Sequence, residues 1–262
     1  MERRPLYSGG PMVSVLGLGT VKLGRREGVK YPDAFDLPTD ERARHLLSTA
    51  KTLGINLIDT APAYGTSERR LGELLDGRWD DWVIVTKAGE TFEDGRSSFD
   101  FTPHAIRESV ERSLDRLKAT RLGAVLLHSD GNDLEIINES GAVEMLVELR
   151  DAGVIGAPGV STKTRAGGLR AVERLAELGG GVAMVTHNLA YDGELEVIER
   201  AAEKGVGVLV KKGLQSGHAG NVADSIRHVI GTNGVTSLIV GTINTEHLKE
   251  NALAADPPEI TS

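Results

Sequence analysis

Eight short apolar runs, each followed by a stretch with helical periodicity, predict an α/β chain folded as one (β/α)₈ (TIM) barrel with a short N-terminal β-hairpin. Two further observations support this class. The runs are apolar at nearly every position, as expected of parallel strands covered on both faces, and their C-terminal ends are where polar residues collect. A doubly wound open sheet is the alternative that the same alternation allows. No linker or shift in composition divides residues 1–262, so a single domain is expected.

Taken in order, two extended pieces from Leu6 to Val13 flank Ser8-Gly9-Gly10-Pro11, a turn signal that predicts the hairpin. Val13–Gly19 reads as the first barrel strand and runs into Thr20, followed by a long polar loop to Pro38. Thr39 offers an N-cap for a helix whose inner stripe is Ala43, Leu46, Leu47, Ala50 and Leu53. Ile55–Asp59 is the second strand, Ser67–Leu75 its helix, and Val83–Lys87 the third strand. Thr102 and Pro103 open the next helix, lined by Ile106, Val110, Leu114 and Leu117. Leu122–His128 is the fourth strand and Ala142–Leu149 marks its helix. Val154–Ser161 is a poorer strand, because Pro158 interrupts it. Leu169–Leu178, Val182–Thr186, Leu195–Ala201, Val206–Lys211, Val222–Val229 and Ser237–Gly241 continue the alternation. Thr245 is expected to cap the last helix, through about Leu253, and Ala255–Ser262 to be surface coil.

With 40% hydrophobic and 26% charged residues the composition is that of an ordinary soluble protein. A formal net charge of -8 argues against a nucleic-acid surface but leaves room for a phosphate-bearing ligand held by local lysines. The absence of cysteine excludes disulfides and thiolate chemistry. Neither a signal-peptide core nor a run of membrane-spanning length is visible, so a cytoplasmic protein with no membrane partner is expected. Oligomeric state leaves no trace in the sequence.

A barrel of this kind builds its active site at the C-terminal ends of its strands. Those ends read Thr20, Asp59, Lys87, His128, Ser161, Asn188, Lys211 and Gly241-Thr242. Three successive strands ending in Asp, Lys and His is unusual, since charged side chains are seldom buried without partners. Each alone has an ordinary explanation: a loop-anchoring carboxylate, a solvated lysine or imine-forming amine, a core histidine, and, for Tyr64, a loop aromatic. Together, Asp59 can neutralise Lys87, whose ammonium is expected to lower the Tyr64 phenol below its usual value of about 10. His128 can then hydrogen-bond the oxygen that takes the Tyr64 proton.

These residues resemble the aldo-keto reductase superfamily. The resemblance is carried by Leu16-Gly17-Leu18-Gly19-Thr20, Ile58-Asp59-Thr60-Ala61-x-x-Tyr64-Gly65, Thr86-Lys87, Leu126-Leu127-His128, Gly159-Val160-Ser161 and Leu248-x-Glu250-Asn251, which span nearly the whole chain. It implies hydride transfer between NADPH (NADH being possible) and an aldehyde or ketone, or the reverse from an alcohol. Tyr64 would be the general acid, Lys87 and Asp59 its partners, and His128 the carbonyl-orienting residue. Carried over in the same way, Gly19, Thr20, Ser161, Thr162, Lys211, Lys212, Leu214, Thr242, His247, Glu250 and Asn251 would hold the cofactor. The family pattern is altered at several places. Met184 stands for a glutamine on the sixth strand, Ser161-Thr162 for Ser-Asn, and Lys211-Lys212-Gly213-Leu214 for an aromatic followed by Ser-Pro-Leu. Val240-Gly241-Thr242 and His247 occupy the places of Pro-Lys-Ser and an arginine, so Lys211 and Lys212 are candidates to replace the missing cations.

Tyr31, Phe35, Phe92, Phe99, Phe101 and Tyr191 are the aromatic candidates for a substrate wall, and the short segment after Asn251 suggests an open mouth. Two other functions remain open from the residues: a barrel aldolase using Lys87 as a Schiff-base amine, and a non-catalytic nicotinamide-binding barrel.

Overall fold

The structure is a computed structural model that describes residues 1–32 and 34–256. An antiparallel pair, β1 (Arg3–Pro5) and β2 (Met12–Ser14), precedes the barrel. The barrel strands are β3 (Leu16–Gly19), β4 (Leu57–Asp59), β5 (Val83–Ala88), then, after a second hairpin of β6 (Glu90–Glu93) and β7 (Arg96–Phe99), β8 (Ala124–His128), β9 (Pro158–Ser161), β10 (Val182–Thr186), β11 (Gly207–Lys211) and β12 (Ser237–Val240). Eight of them close in the order β3-β4-β5-β8-β9-β10-β11-β12, every neighbour parallel. The helices are α1 (Val21–Gly24), α2 (Asp40–Thr52), α3 (Ser67–Leu74), α4 (Pro103–Leu117), α5 (Asp133–Asn138), α6 (Ala142–Asp151), α7 (Arg165–Glu177), α8 (Leu195–Lys204), α9 (Val222–Gly231) and α10 (Thr245–Ala255). No described helix is long and apolar enough to cross a membrane.

Two apolar layers follow from the alternation of side chains along each strand. Ile58, Ile84, Leu127, Val160, Val185, Val210 and Leu238 face outward and pack under the helices. Leu57, Val85, Leu126, Val182, Met184 and Leu209 face inward and fill the barrel. The same period of two puts Asp59, Lys87, His128, Ser161 and Lys211 on the inward face, one step beyond the apolar filling. Register sets their heights: Asp59 pairs with Val85, Lys87 with Leu126, and His128 with Ser161.

The first hairpin closes the opposite end. Leu6 and Val13 join the inner core, and the Tyr7 hydroxyl donates to Gly156 O at 3.0 Å. Only glycine fits at 207, where a Cβ would lie 1.6 Å from Leu6 O. The turn sits where the sequence places it, but the paired segments differ. Leu6–Pro11 is the connecting loop, with Leu6 N donating to Pro11 O at 2.8 Å, and the ladder runs from Arg3–Ser14 to Pro5–Met12. The predicted first strand is therefore divided. Ser14 is held by the Asn56 side chain, and the barrel strand begins at Leu16.

Helix starts agree at Thr39 and Thr102, whose hydroxyls accept from Arg42 N and Ala105 N. The last helix is capped instead by Asn244, which accepts from Glu246 N at 2.9 Å; Thr245 is already helical. That helix takes in Ala255 and ends at its C-cap Asp256, and 257–262 of the expected terminal coil lie outside the described residues. The expected strands Ile55–Asp59, Leu122–His128 and Val154–Ser161 each begin two or more residues later than the apolar run does. The β6–β7 hairpin, α1 and α5 have no counterpart in the apolar pattern. The hairpin's signal is Asp94-Gly95, both at positive φ of 51° and 77° in the tight turn.

Candidate active site

The strand ends open into one cavity of about 860 Å³. Its lining includes Asp59, Tyr64, Lys87 and His128, and also Gly19, Thr20, Ser161, Thr162, Lys211, Lys212, Leu214, Thr242, His247, Glu250 and Asn251. All the residues expected from the sequence to act in catalysis or to hold the cofactor thus border a single space. Met184 lies in its wall as well.

Lys87 is among the largest fully buried side chains of the protein. Its Nζ donates to Asp59 Oδ1 at 2.6 Å and to Thr60 O at 2.9 Å, and lies 4.8 Å from the centre of the Tyr64 ring. Burial pulls the Lys87 ammonium toward neutrality, but Asp59 and Tyr64 outweigh it and hold its pKa above the ordinary lysine value. Tyr64 moves opposite to the sequence expectation. Burial, the largest influence, raises the phenol's pKa, and the lowering by Lys87 does not overcome it because Asp59 and Glu90 add to the rise. Tyr64 is therefore a protonated phenol at neutral pH.

The loop that carries Tyr64 is fixed by hydroxyls. Ser67 Oγ donates to Thr20 and lies 3.2 Å from Thr60 Oγ1, while Thr20 Oγ1 donates to Asp59 O at 2.9 Å. Gly65 turns the chain at φ 61°, where its Cα approaches Gly24 too closely for any side chain.

His128 meets Tyr64 edge-on, with ring centres 6.5 Å apart. Its Nδ1 lies 2.6 Å from Glu90 Oε2. Burial lowers the imidazole pKa, Lys87 and Lys211 add to that, and Glu90 opposes it; the net shift is downward. Glu90 comes from the β6–β7 hairpin and was not foreseen. Arg25 was not foreseen either: its guanidinium covers the Phe92 ring at 3.4 Å and donates to Ala63 O beside Tyr64.

On the opposite wall the two lysines part company. Lys211 turns inward, its Nζ donating to Ser161 Oγ at 3.0 Å and Thr162 O at 2.6 Å. Burial first, with Lys212 and Lys87 adding to it, brings its pKa down to about 8 against the pull of Glu194. Lys212 is exposed, at a left-handed φ of 57°, and Lys30 across the mouth helps to lower its pKa after burial does. The Thr162 hydroxyl is buried with no hydrogen-bond partner. Of the six aromatic candidates, Tyr31 borders the cavity, its pKa pushed up to about 12 by burial and by Tyr64 and Asp59. Phe99 instead stacks on Phe101, and Tyr191 is exposed.

The aldo/keto reductase family matches residues 15–225, well over half of the chain. The chain belongs to the aldo/keto reductase family. A solved putative aldo-keto reductase from Pseudomonas aeruginosa is 50% identical, with a TM-score of 0.87 over 97% of this chain and 93% of that one. D-threo-aldose 1-dehydrogenase of a Pseudomonas species is 30% identical over 235 residues, 79% of this chain and 68% of that protein. The uncharacterized oxidoreductase YqkF of Bacillus subtilis is 32% identical over 166 residues, 62% of this chain and 49% of that protein. The chain thus spans about half the length of YqkF. Membership accounts for the cavity's place at the strand ends.

Proposed function

We propose that this aldo/keto reductase family member is an NADPH-dependent oxidoreductase that interconverts an aldehyde or ketone and its alcohol, with Tyr64 as general acid. The observation that carries the reading is the buried Lys87–Asp59 pair beside a protonated Tyr64, with His128 on the other side of the same cavity. A carbonyl oxygen lodged between Tyr64 and His128 meets two polar groups where negative charge develops.

The opposite wall fits a nicotinamide nucleotide. The unpartnered Thr162 hydroxyl and Ser161 offer polar contacts for a carboxamide. Lys212 and Lys30 give positive charge for phosphate, and α10 starts beside Thr242, which lines the cavity. A reduced nicotinamide held by these residues would supply hydride chemistry at the cavity. The protein's part is the proton. Tyr64 gives its Oη proton to the carbonyl oxygen, and the Lys87 ammonium stabilises the phenolate left behind. Asp59 holds Lys87 in place throughout. The aldolase alternative is less well supported, because Lys87 is kept as an ammonium, and an imine-forming amine must lose that proton.

The test is a panel of aldehydes and ketones with NADPH, using the parent and Tyr64→Phe. General-acid catalysis is worth about 10²–10⁴-fold, so the variant should lose that much turnover while binding NADPH with unchanged Kd. A Phe variant as fast as the parent on a good substrate removes Tyr64 from the role.

A further inference from the structure

Lys211 brings a positive charge to the wall that fits a nicotinamide. It ends β11 on the inward face, one step beyond Leu209 and level with Thr186 of β10. Its Nζ donates to Ser161 Oγ and Thr162 O, both neutral oxygens, and among the described residues it makes no ion pair within 4.0 Å. Burial first, then Lys212 beside it and Lys87 on β5, work against the ammonium. Glu194 before α8 and Asp133 at the start of α5 favour it from farther off. Asp133 is already taken by Lys163 N and by Thr164 N and Oγ1, and Glu194 keeps one oxygen buried without a partner. The ammonium is therefore not neutralised where it stands, and His128 across the cavity feels it.

The two redox forms of a nicotinamide nucleotide differ at such a wall by a single charge. The oxidised ring is a pyridinium and the reduced ring is neutral, while the phosphates are common to both. A carboxamide that meets Ser161 and Thr162 shares both residues with Nζ, so its ring lies in the field of the ammonium. Like charges in a water-poor cavity repel far more than they do in solution. We propose that Lys211 discriminates between the redox states of the nucleotide, its ammonium disfavouring the oxidised ring and sparing the reduced one, so that the cavity holds NADPH more tightly than NADP⁺. The inference rests on the nicotinamide reading above and deepens it.

The discrimination depends on pH. With a pKa of about 8, Lys211 is charged below that value and loses its charge above it. Among its neighbours, the imidazole of His128 is lowered and already neutral above pH 7, Tyr64 is a neutral phenol, and Lys87 is raised and stays charged. Lys212 is lowered too, so variants at 211 separate the two lysines.

The test is calorimetric titration of the full chain with NADPH, NADP⁺ and phospho-ADP-ribose, which keeps the phosphates and lacks the ring. In the parent, the ratio of the NADP⁺ to the NADPH dissociation constant should fall roughly fivefold from pH 7 to pH 9.5, as follows if the pyridinium moves a Lys211 pKa of about 8 down by about one unit. Lys211→Met should give the low ratio at both pH values while binding NADPH and phospho-ADP-ribose as the parent does. Lys211→Arg, charged throughout, should keep the high ratio at both. Glu194→Gln removes the carboxylate that favours the ammonium, so the fall should move to lower pH. A parental ratio that is flat with pH and equal to that of Lys211→Met overturns the proposal. So does a Lys211→Met variant that weakens phospho-ADP-ribose as much as the whole nucleotides, which would put the lysine on phosphate. Nucleotide binding with the expected ratios but no turnover of any carbonyl or alcohol removes the reaction proposed above and leaves this inference standing; failure of both nucleotides to bind overturns both.

Discussion

At the scale of single residues, Lys87 is the strongest case. Removing one member of a buried ion pair commonly costs about 3–5 kcal/mol, so Lys87→Met should lose that much in a urea melt as well as most of its turnover. A variant with parental melting and turnover would show that the pair is dispensable. Lys211 makes the opposite prediction. Its pKa is depressed from 10.5 to about 8, so the folded protein releases a proton that the unfolded chain still holds. Stability linked to Lys211 is present above 10.5 and lost as pH falls through 8. The stability of the parent relative to Lys211→Met should therefore rise between pH 8 and 10.5, measured by urea melts at several pH values, and be flat below that window. Asp59, Lys87 and His128 were legible because charge at the end of an apolar strand needs a reason. Glu90, Arg25 and Lys30 were not, because each lies outside the strand-and-helix periodicity and nothing in the chain says what it faces. The direction of the Tyr64 shift was misread for a related reason. Sequence names a neighbour such as Lys87, but the depth of burial that overrides it appears only with the fold.

At the scale of elements, the two hairpins divide the labour of the barrel's two ends. The first plugs the bottom through Leu6, which is fully buried against the inner core. Leu6→Ala should cost about 2–5 kcal/mol, as other buried leucine truncations do, yet leave the NADPH dissociation constant within about twofold, because the mouth is built at the other end. A large loss of cofactor affinity without loss of stability would contradict that separation. The second hairpin serves the mouth by delivering Glu90. Helix starts with a hydroxyl before the first turn were readable at Thr39 and Thr102, whereas Asn244 was passed over for the threonine beside it. Strand starts were harder, since Ile55, Leu122 and Val154 are as apolar as the strands they precede.

At the scale of the molecule, a chain of net charge -8 gathers Lys30, Lys211 and Lys212 at one cavity. A charge-assisted contact to phosphate is worth about 1.5–3 kcal/mol, or roughly 10–150-fold in affinity. We expect NADPH to bind more tightly than NADH, Lys212→Ala to erode that preference, and added salt to weaken NADPH more than NADH. Equal weakening of both cofactors by Lys212→Ala would instead place this lysine on the pyrophosphate they share. The layered interior carries one more consequence, which concerns inheritance rather than energy. Along β5 the inward face passes from Val85 to Lys87, and a one-residue insertion between β4 and β5 is absorbed by the intervening loop. The same insertion inside β5, after Val85, would turn Lys87 toward the helices and bring Thr86 into its place beside Tyr64. Lineages of this protein should therefore tolerate changes of length between strands and almost none within the last three positions of β4, β5 and β8.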